Sequence, residues 1–281
     1  MSSLREIKDR IASVKGTIKV ASAMKLIASS KLHRAQQSAE ALRRYSDALG
    51  GIIATLPASA FSSLSTPSVP DAPPAIVALS SNNSLCGAFN ANVIRQALRE
   101  AAAYPDAEVF ALGRKMADAM RREGRGNGED FSALVTPNGQ EAAAALANRL
   151  MKACEEGRYS RVILVYTHFA SAARQEVVVR DLLPFSCEGG GEEDDMEKRV
   201  LYEPSPAQIA QSLFPALIRL EMRSVCIDSF AAECAARTIA MQVASDNAQS
   251  LLGELTLEYN KRRQDKITSE ILDLVGGSIQ E

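Results

Sequence analysis

Histidine is scarce in this chain. The two present, His33 and His168, are too few and too far apart in sequence to suggest a metal site. Five cysteines (86, 154, 187, 226 and 234) form no C-x-x-C pair and no even framework, a usage that fits reduced thiols in a cytosolic compartment. No apolar run reaches the length that spans a membrane. Residues 1–20 carry Arg5, Lys8, Arg10, Lys15 and Lys19 but no apolar h-region, so no secretory signal is expected, and Glu6 and Asp9 argue against a mitochondrial presequence. Catalytic signatures are missing as well. There is no G-x-G-x-x-G, G-x-S-x-G or H-E-x-x-H, no lysine is followed by Ser or Thr as a Walker A loop requires, and no paired-carboxylate constellation emerges. The chain is short of catalytic equipment.

What it has is helix. From Leu213, positions spaced alternately four and three apart read Leu213, Leu217, Leu220, Ser224, Ile227, Ala231, Cys234, Thr238, Met241, Ser245, Ala248, Leu252, Leu255 and Tyr259, none of them charged. That seam of about 47 residues spans roughly 70 Å at 1.5 Å per residue, too long for one wall of a compact core. The start of the chain carries its own seam: Leu4, Ile7, Ile11, Val14, Ile18, Ala21, Lys25, Ala28, Leu32, Ala35, Ala39, Leu42, Ser46, Leu49, Ile53 and Leu56. Fourteen of those sixteen are apolar, and a pattern sustained that long reads as a coiled-coil strand. Gly50–Gly51 and Pro57 mark its end. Both seams have small residues in the middle, which lets two helix axes approach closely. The simplest reading pairs the two ends of the chain antiparallel; a homodimeric coiled coil is the alternative. Lys25 in the seam is costly unless that stretch faces something other than its sister helix.

The net charge of −2 hides an asymmetry. Residues 1–45 hold ten Lys/Arg against three acids, while 188–197 holds six acids. A basic arm seeks an acidic partner, but here the cations alternate with a continuous apolar seam and Tyr45 is the arm's only aromatic, which disfavours nucleic acid.

Between the seams the pattern changes. After a Ser/Pro-rich connector at 58–74, apolar runs at 76–81, 107–113, 161–169 and 175–185 read as strands, and amphipathic stretches to about Tyr104, from Arg114 and over 139–156 read as helices. Alternating strands and helices predict an α/β domain, Rossmann-like, with a mostly parallel sheet. GGGEEDD (189–195) reads as an acidic loop. Ser205 is placed to cap the closing helix, with Pro206 at its first position. The expected organisation is an N-terminal helix over 1–57, an α/β domain over 75–205 and a C-terminal helix over 206–281 that pairs with the first.

SSNNSLCGAFNAN (80–92) follows a strand and opens a helix, where backbone N–H groups could hold an anion. Without a glycine fingerprint, a polar turn that packs against a neighbour is the better reading. Cys86 within it reads either as a thiolate at a helix start or as a buried structural residue.

Three segments carry a resemblance. LREIKDRIASVKGTIKVASAMKLIASSKLHRAQ at the start, SLCGAFNAN in the middle and AARTIAMQVASDNAQSLLGELTLEYNKRRQDKITSEILDLVGG at the end resemble the gamma subunit of F-type ATP synthases, in order and across the whole chain. The resemblance implies a non-catalytic rotor without cofactor or metal. Its antiparallel coiled coil would stand inside a ring of alpha and beta subunits, with the α/β domain near the membrane. Proton flow would turn a c-subunit ring, and the shaft would drive the beta sites through their nucleotide cycle. Partners would be alpha, beta and epsilon subunits and the c ring. Location would be the cytoplasmic face of a bacterial inner membrane, held only through the complex.

Carried over by motif, Met24 with Lys25 would be the coupling pair facing beta, and Arg263, Gln264 and Thr268 would meet beta loops. Tyr202 and Glu203 would form the foot on the c ring. Ile267, Ile271, Leu272, Leu274 and Val275 offer an apolar tip. The family's Asp-Arg-Gly before LCG is replaced by Asn82, Asn83 and Ser84, so a charged contact to beta is expected to be missing. The cysteine-pair insertion of chloroplast-type relatives is absent, so thiol regulation is not expected. The competing readings are an α/β enzyme or binding module with a coiled-coil oligomerisation handle, and a basic coiled-coil nucleic-acid binder.

Overall fold

Strand β1 (Ala75–Leu79) is buried at all five positions, as an apolar run flanked by parallel neighbours and covered on both faces must be. It pairs in parallel with β2 (Glu108–Leu112) and β3 (Val162–Phe169). Strand β4 (Gln175–Leu183) closes the other edge antiparallel to β3, giving the order β2-β1-β3-β4. The computed structural model describes residues 4–61, 69, 71–184 and 201–277. Cys187, the acidic stretch 188–197, Phe185 at the end of the fourth expected strand, connector residues 62–68 and 70, and the side chains of Leu274 and Val275 lie outside them.

Alternation along the strands sorts side chains to two faces. One face presents Val77, Leu79, Leu112 and Leu164 to helix α4 (Gln140–Glu155), through Leu146 and Leu150, and to the first part of helix α5 (Pro206–Gly277), through Phe214, Ile218, Met222 and Val225. The other presents Ile76, Ala78, Val109 and Ile163 to α2 (Phe89–Ala103) and α3 (Arg114–Arg122). The segment around FSALVT forms turns with Leu134 and Val135 buried beneath them. The expected α/β domain with its mostly parallel sheet is therefore present, and its one antiparallel strand is the last.

Helix α1 (Leu4–Ile53) runs through Gly50–Gly51 and ends between them and Pro57, and Thr55 Oγ1 donates to the Ile52 carbonyl just beyond it. At the start of α5, Ser205 Oγ accepts from the Gln208 N–H at 3.3 Å, an N-cap with proline at the first helical position. Packing groups the residues into two units, Met1–Ala28 with Thr238–Glu281 and Ser29–Arg237, and α1 and α5 contribute to both.

Within each unit the two helices run antiparallel. In the first, Lys25 meets Gln242 while Arg10 and Val14 lie beside Leu251 and Glu258. In the second, Leu49 packs on Leu217 and Leu220, and Leu56 on Ala210. Within each unit the seam of one terminal helix is thus covered by the other. Fourteen of the sixteen positions in the first seam are buried or half-buried. At Ala39 the stripe steps back one residue, so Ser38 is half-buried and Ala39 exposed, and Ser46 is also exposed. The second seam has one exposed member, Ser224.

Candidate functional site

In the unit formed by 1–28 and 238–281, Lys25 occupies its seam position half-buried, and its ammonium donates to Gln242 Oε1. Gln242 Nε2 in turn donates to Asp246 Oδ1 at 2.7 Å. The amide carries a positive group on one side and a negative one on the other, so Lys25 is satisfied across the helix pair by this polar relay. Exposure to another protein is not needed to explain it. Met24 beside it is half-buried.

Apolar side chains also point outward along this helix pair. Leu26 is 71% exposed, and Val20, Ile27, Val243 and Leu257 are exposed too. A pair of helices that has already closed its seam gains nothing from leucine and isoleucine in water, so a surface of this kind marks an interaction site.

Farther along, α5 outruns its partner. Arg262 is half-buried and bonded to Glu258 at 3.1 Å, and residues 263–272 are exposed without a break. Three of the carried-over residues fall here. Thr268 Oγ1 donates to the Gln264 carbonyl at 2.9 Å, which ties its hydroxyl to the helix. The guanidinium of Arg263 is in no ion pair among the described residues, unlike Lys266, which pairs with Glu270 at 3.5 Å. Ile267, Ile271 and Leu272 extend the exposed stretch as an apolar surface.

In the unit 29–237 the polar turn after β1 folds on itself. Asn90 holds it. Its Oδ1 accepts from the Ser81 N–H at 3.0 Å, and its Nδ2 donates to Ser81 Oγ at 2.8 Å and the Asn83 carbonyl at 3.3 Å. The N–H groups opening α3 are capped from the same turn. Arg114 N donates to Asn82 Oδ1 at 3.0 Å and Met116 N to Ser80 Oγ at 2.8 Å. These bonds tie the turn to β1 and to the start of α3, so its polar side chains serve the fold. At the start of α2 the Phe89 N–H donates to the Cys86 carbonyl at 3.3 Å, and no side chain caps the helix. Cys86 is buried within it.

Sequence reasoning missed what meets this turn. Arg237 Nη2 donates to the carbonyls of Ser84 at 3.3 Å and Asn83 at 3.4 Å, and its Nη1 donates to buried Glu233 at 2.5 Å. The signal was present as an i, i+4 acid–base pair beside a stripe of small residues. Burial raises the Glu233 pKa above its ordinary 4.5, with Arg237 and Lys31 opposing. A raised folded-state value means that the stability Glu233 lends is full below its unfolded pKa and is lost as pH rises through the folded one. Relative to Glu233→Gln, the wild-type chain is therefore expected to lose stability as pH climbs from 4.5 toward neutrality, read as denaturant midpoints at several pH values. A difference that is flat, or that grows with pH, would contradict the burial argument.

Tyr202 is half-buried, and its hydroxyl donates to the Thr55 carbonyl, while the adjacent Glu203 is exposed. The remaining described thiols are ill suited to attack. Burial pushes Cys154 up to about 11 and both Cys226 and Cys234 up to about 12, so each is protonated at neutral pH.

A family model described as ATP synthase matches residues 3–279. The chain is 39% identical over 290 residues to the ATP synthase gamma chain of Bacteroides fragilis, covering 99% of this chain and 100% of that one. It is 38% identical over 299 residues to that of Bacteroides thetaiotaomicron, with full coverage of both. Among solved structures it is similar to a chain of the Euglena gracilis mitochondrial ATP synthase (OSCP/F1/c-ring). That match has a TM-score of 0.66 at 16% identity and covers 97% of this chain and 92% of the other. A chain of the Tetrahymena thermophila mitochondrial central stalk and c-ring matches with a TM-score of 0.56 at 19% identity, covering 80% and 99%.

Proposed function

The chain belongs to the ATP synthase gamma-chain family, the non-catalytic rotor subunits of the F-type enzyme, and from that premise we propose how its parts divide the work of coupling. The paired helices of 1–28 and 238–281 face the alpha and beta subunits. Met24 meets beta at the level of the Lys25–Gln242–Asp246 relay, and Arg263, Gln264 and Thr268 meet it farther along α5. Tyr202 and Glu203 belong to the foot on the c ring, with Tyr202 anchored by its own hydrogen bond and Glu203 exposed to reach outward. An epsilon subunit completes the stalk. The complex holds the chain peripherally at the cytoplasmic face of a bacterial inner membrane; among the described residues no helix is long and apolar enough to cross one.

The observation that carries this reading is the set of outward apolar side chains, Leu26 and Ile27 beside Lys25 and Leu257 farther along α5, on a helix pair whose seam is already closed. Apolar contact suits a part that must turn, because it is short-ranged and non-directional and holds no single angle strongly. Arg263, which is in no ion pair among the described residues, supplies the opposite kind of contact, one that varies with angle as acidic loops pass it.

A tagged copy expressed with its neighbouring subunits is expected to co-purify with an ATP-hydrolysing assembly holding one copy of this chain, and from detergent-solubilised membranes to bring the c subunit with it. Recovery as a stable homodimer without ATPase activity would overturn the reading and return attention to an α/β protein with an oligomerisation handle.

A further inference from the structure

Two cavities in the unit 29–237 share one stripe of α1 and one stripe of α5. The first, of about 120 Å³, lies over Ala35, Ile227 and Phe230, with Lys31 and Arg34 on its rim. The second, of about 380 Å³, lies over Leu42 and Leu220, with Arg219 and Arg223 on its rim. On α1 the first ends at Ser38 and the second begins at Ala41; on α5 they meet between Cys226 and Arg223. Both steps are i, i+3, so the cavities are two stretches of one groove along the same helix faces. The backstep of the α1 stripe at Ser38 and Ala39 falls within it.

The charge is one-sided. No carboxylate lines either stretch. None of the four cations forms an ion pair among the described residues. Arg219 and Arg223 each donate to a neutral acceptor, Asn148 Oδ1 and the Gln140 carbonyl, both at 3.2 Å, which leaves most of each guanidinium's five donors available. Lys31 feels the Glu233 carboxylate, which is already paired with Arg237. An apolar floor between two cationic ends, with no carboxylate in its lining, is complementary to an acidic amphipathic surface.

We propose that this groove docks an acidic amphipathic helix of a partner protein, a site separate from the coupling residues above. Along most of the groove the walls are α1 and α5, whose backbone groups are bonded internally. In the turn that also lines the first cavity, Leu134 and Thr136 already donate their N–H groups to the Phe131 and Ala133 carbonyls, while Pro137 has none. An extended peptide would therefore find no backbone donors here, whereas a helix brings its own. Lys31 and Arg34 stand about 11 residues along α1 from the level of Arg219 and Arg223, roughly 17 Å at 1.5 Å per residue. A helix lying along the groove therefore carries carboxylates about three turns apart with an apolar stripe between them.

The test is selection of 16-residue helical peptides from a displayed library on the full-length chain. Selected helices are expected to carry Asp or Glu at both ends of an apolar stripe, and to lose about tenfold or more in affinity against the Arg34→Glu, Arg219→Glu double variant. They should bind the Arg99→Glu variant, with its change on α2, as they bind the wild type. Peptides with lysine in place of the acids should prefer the double variant. Circular dichroism and thermal melting establish that each variant is folded. Failure to select any helix, equal selection of acidic and basic helices, or unchanged affinity for the folded double variant would each overturn the proposal. So would a concentration-dependent dimer of this chain that the double substitution dissolves, since it would assign the groove to a second copy.

Discussion

Replacement of Gly113 by alanine is expected to destabilise the unit 29–237 by about 3 kcal/mol, the sum of backbone strain and overpacking at one site. Gly113 sits between β2 and α3 with φ +93°, where L side chains are strained. A Cβ built there would stand 2.4 Å from the Ser80 carbonyl oxygen and 2.9 Å from its carbon. Neither atom can rotate away. The Ser80 N–H donates to the Leu112 carbonyl at 2.8 Å, and its Oγ caps the Met116 N–H. Moving Ser80 would therefore disturb both the extension of the β1–β2 pairing and the first turn of α3. For a unit of this size the cost corresponds to a fall in Tm of roughly 6–12 °C. Gly253 is the control. It lies inside α5 with nothing within 4 Å of where a methyl group would stand, so Gly253→Ala should gain about 0.5–1 kcal/mol from helix propensity alone. A Gly113→Ala chain that melts with the wild type would show that the turn after β1 is much softer than its hydrogen bonds imply.

The contrast between these glycines shows what a one-dimensional pattern can and cannot carry. Periodicity named the buried stripes of α1 and α5 nearly residue by residue, because a seam is a local property of helix geometry. It did not reveal that α5 serves two partners. Phe214, Ile218, Met222 and Val225 form a second stripe beside the seam and close one face of the sheet. That stripe is readable in the sequence once sought, but spacing states which face is apolar and not what covers it. Lys25 was legible as an anomaly, yet its resolution by Gln242, more than two hundred positions away, required the register of the pair. The turn at 80–90 was legible only as polar. Which atoms its asparagines bond, and that Arg237 comes to its carbonyls, depend on tertiary placement that no motif encodes.

The second large effect is expected at Met24. Substitution by lysine places a second ammonium next to the Lys25 relay on a half-buried site flanked by the exposed Val20, Leu26 and Ile27. In the free chain the cost should be small, since a long side chain at such a position can lead its charge into water. In the assembled enzyme the added charge would meet the beta subunit directly and form a strong, angle-dependent contact where the native surface is apolar and non-directional. The expected result is selective. Ion pumping per ATP hydrolysed should fall several-fold while hydrolysis itself changes little, measured as acidification of vesicles and phosphate release from the same preparation. Equal loss of both, with the complex intact, would place the coupling contact elsewhere on the helix pair.

The central claim is that this chain turns within its complex. Its most direct test fixes the catalytic ring to a surface and attaches a bead through a cysteine introduced at Arg99, an α2 position apart from the residues proposed to contact beta. The account predicts that the bead rotates in one direction when ATP is added and stops when ATP is removed. A bead that stays still while the same immobilised complexes hydrolyse ATP would contradict it.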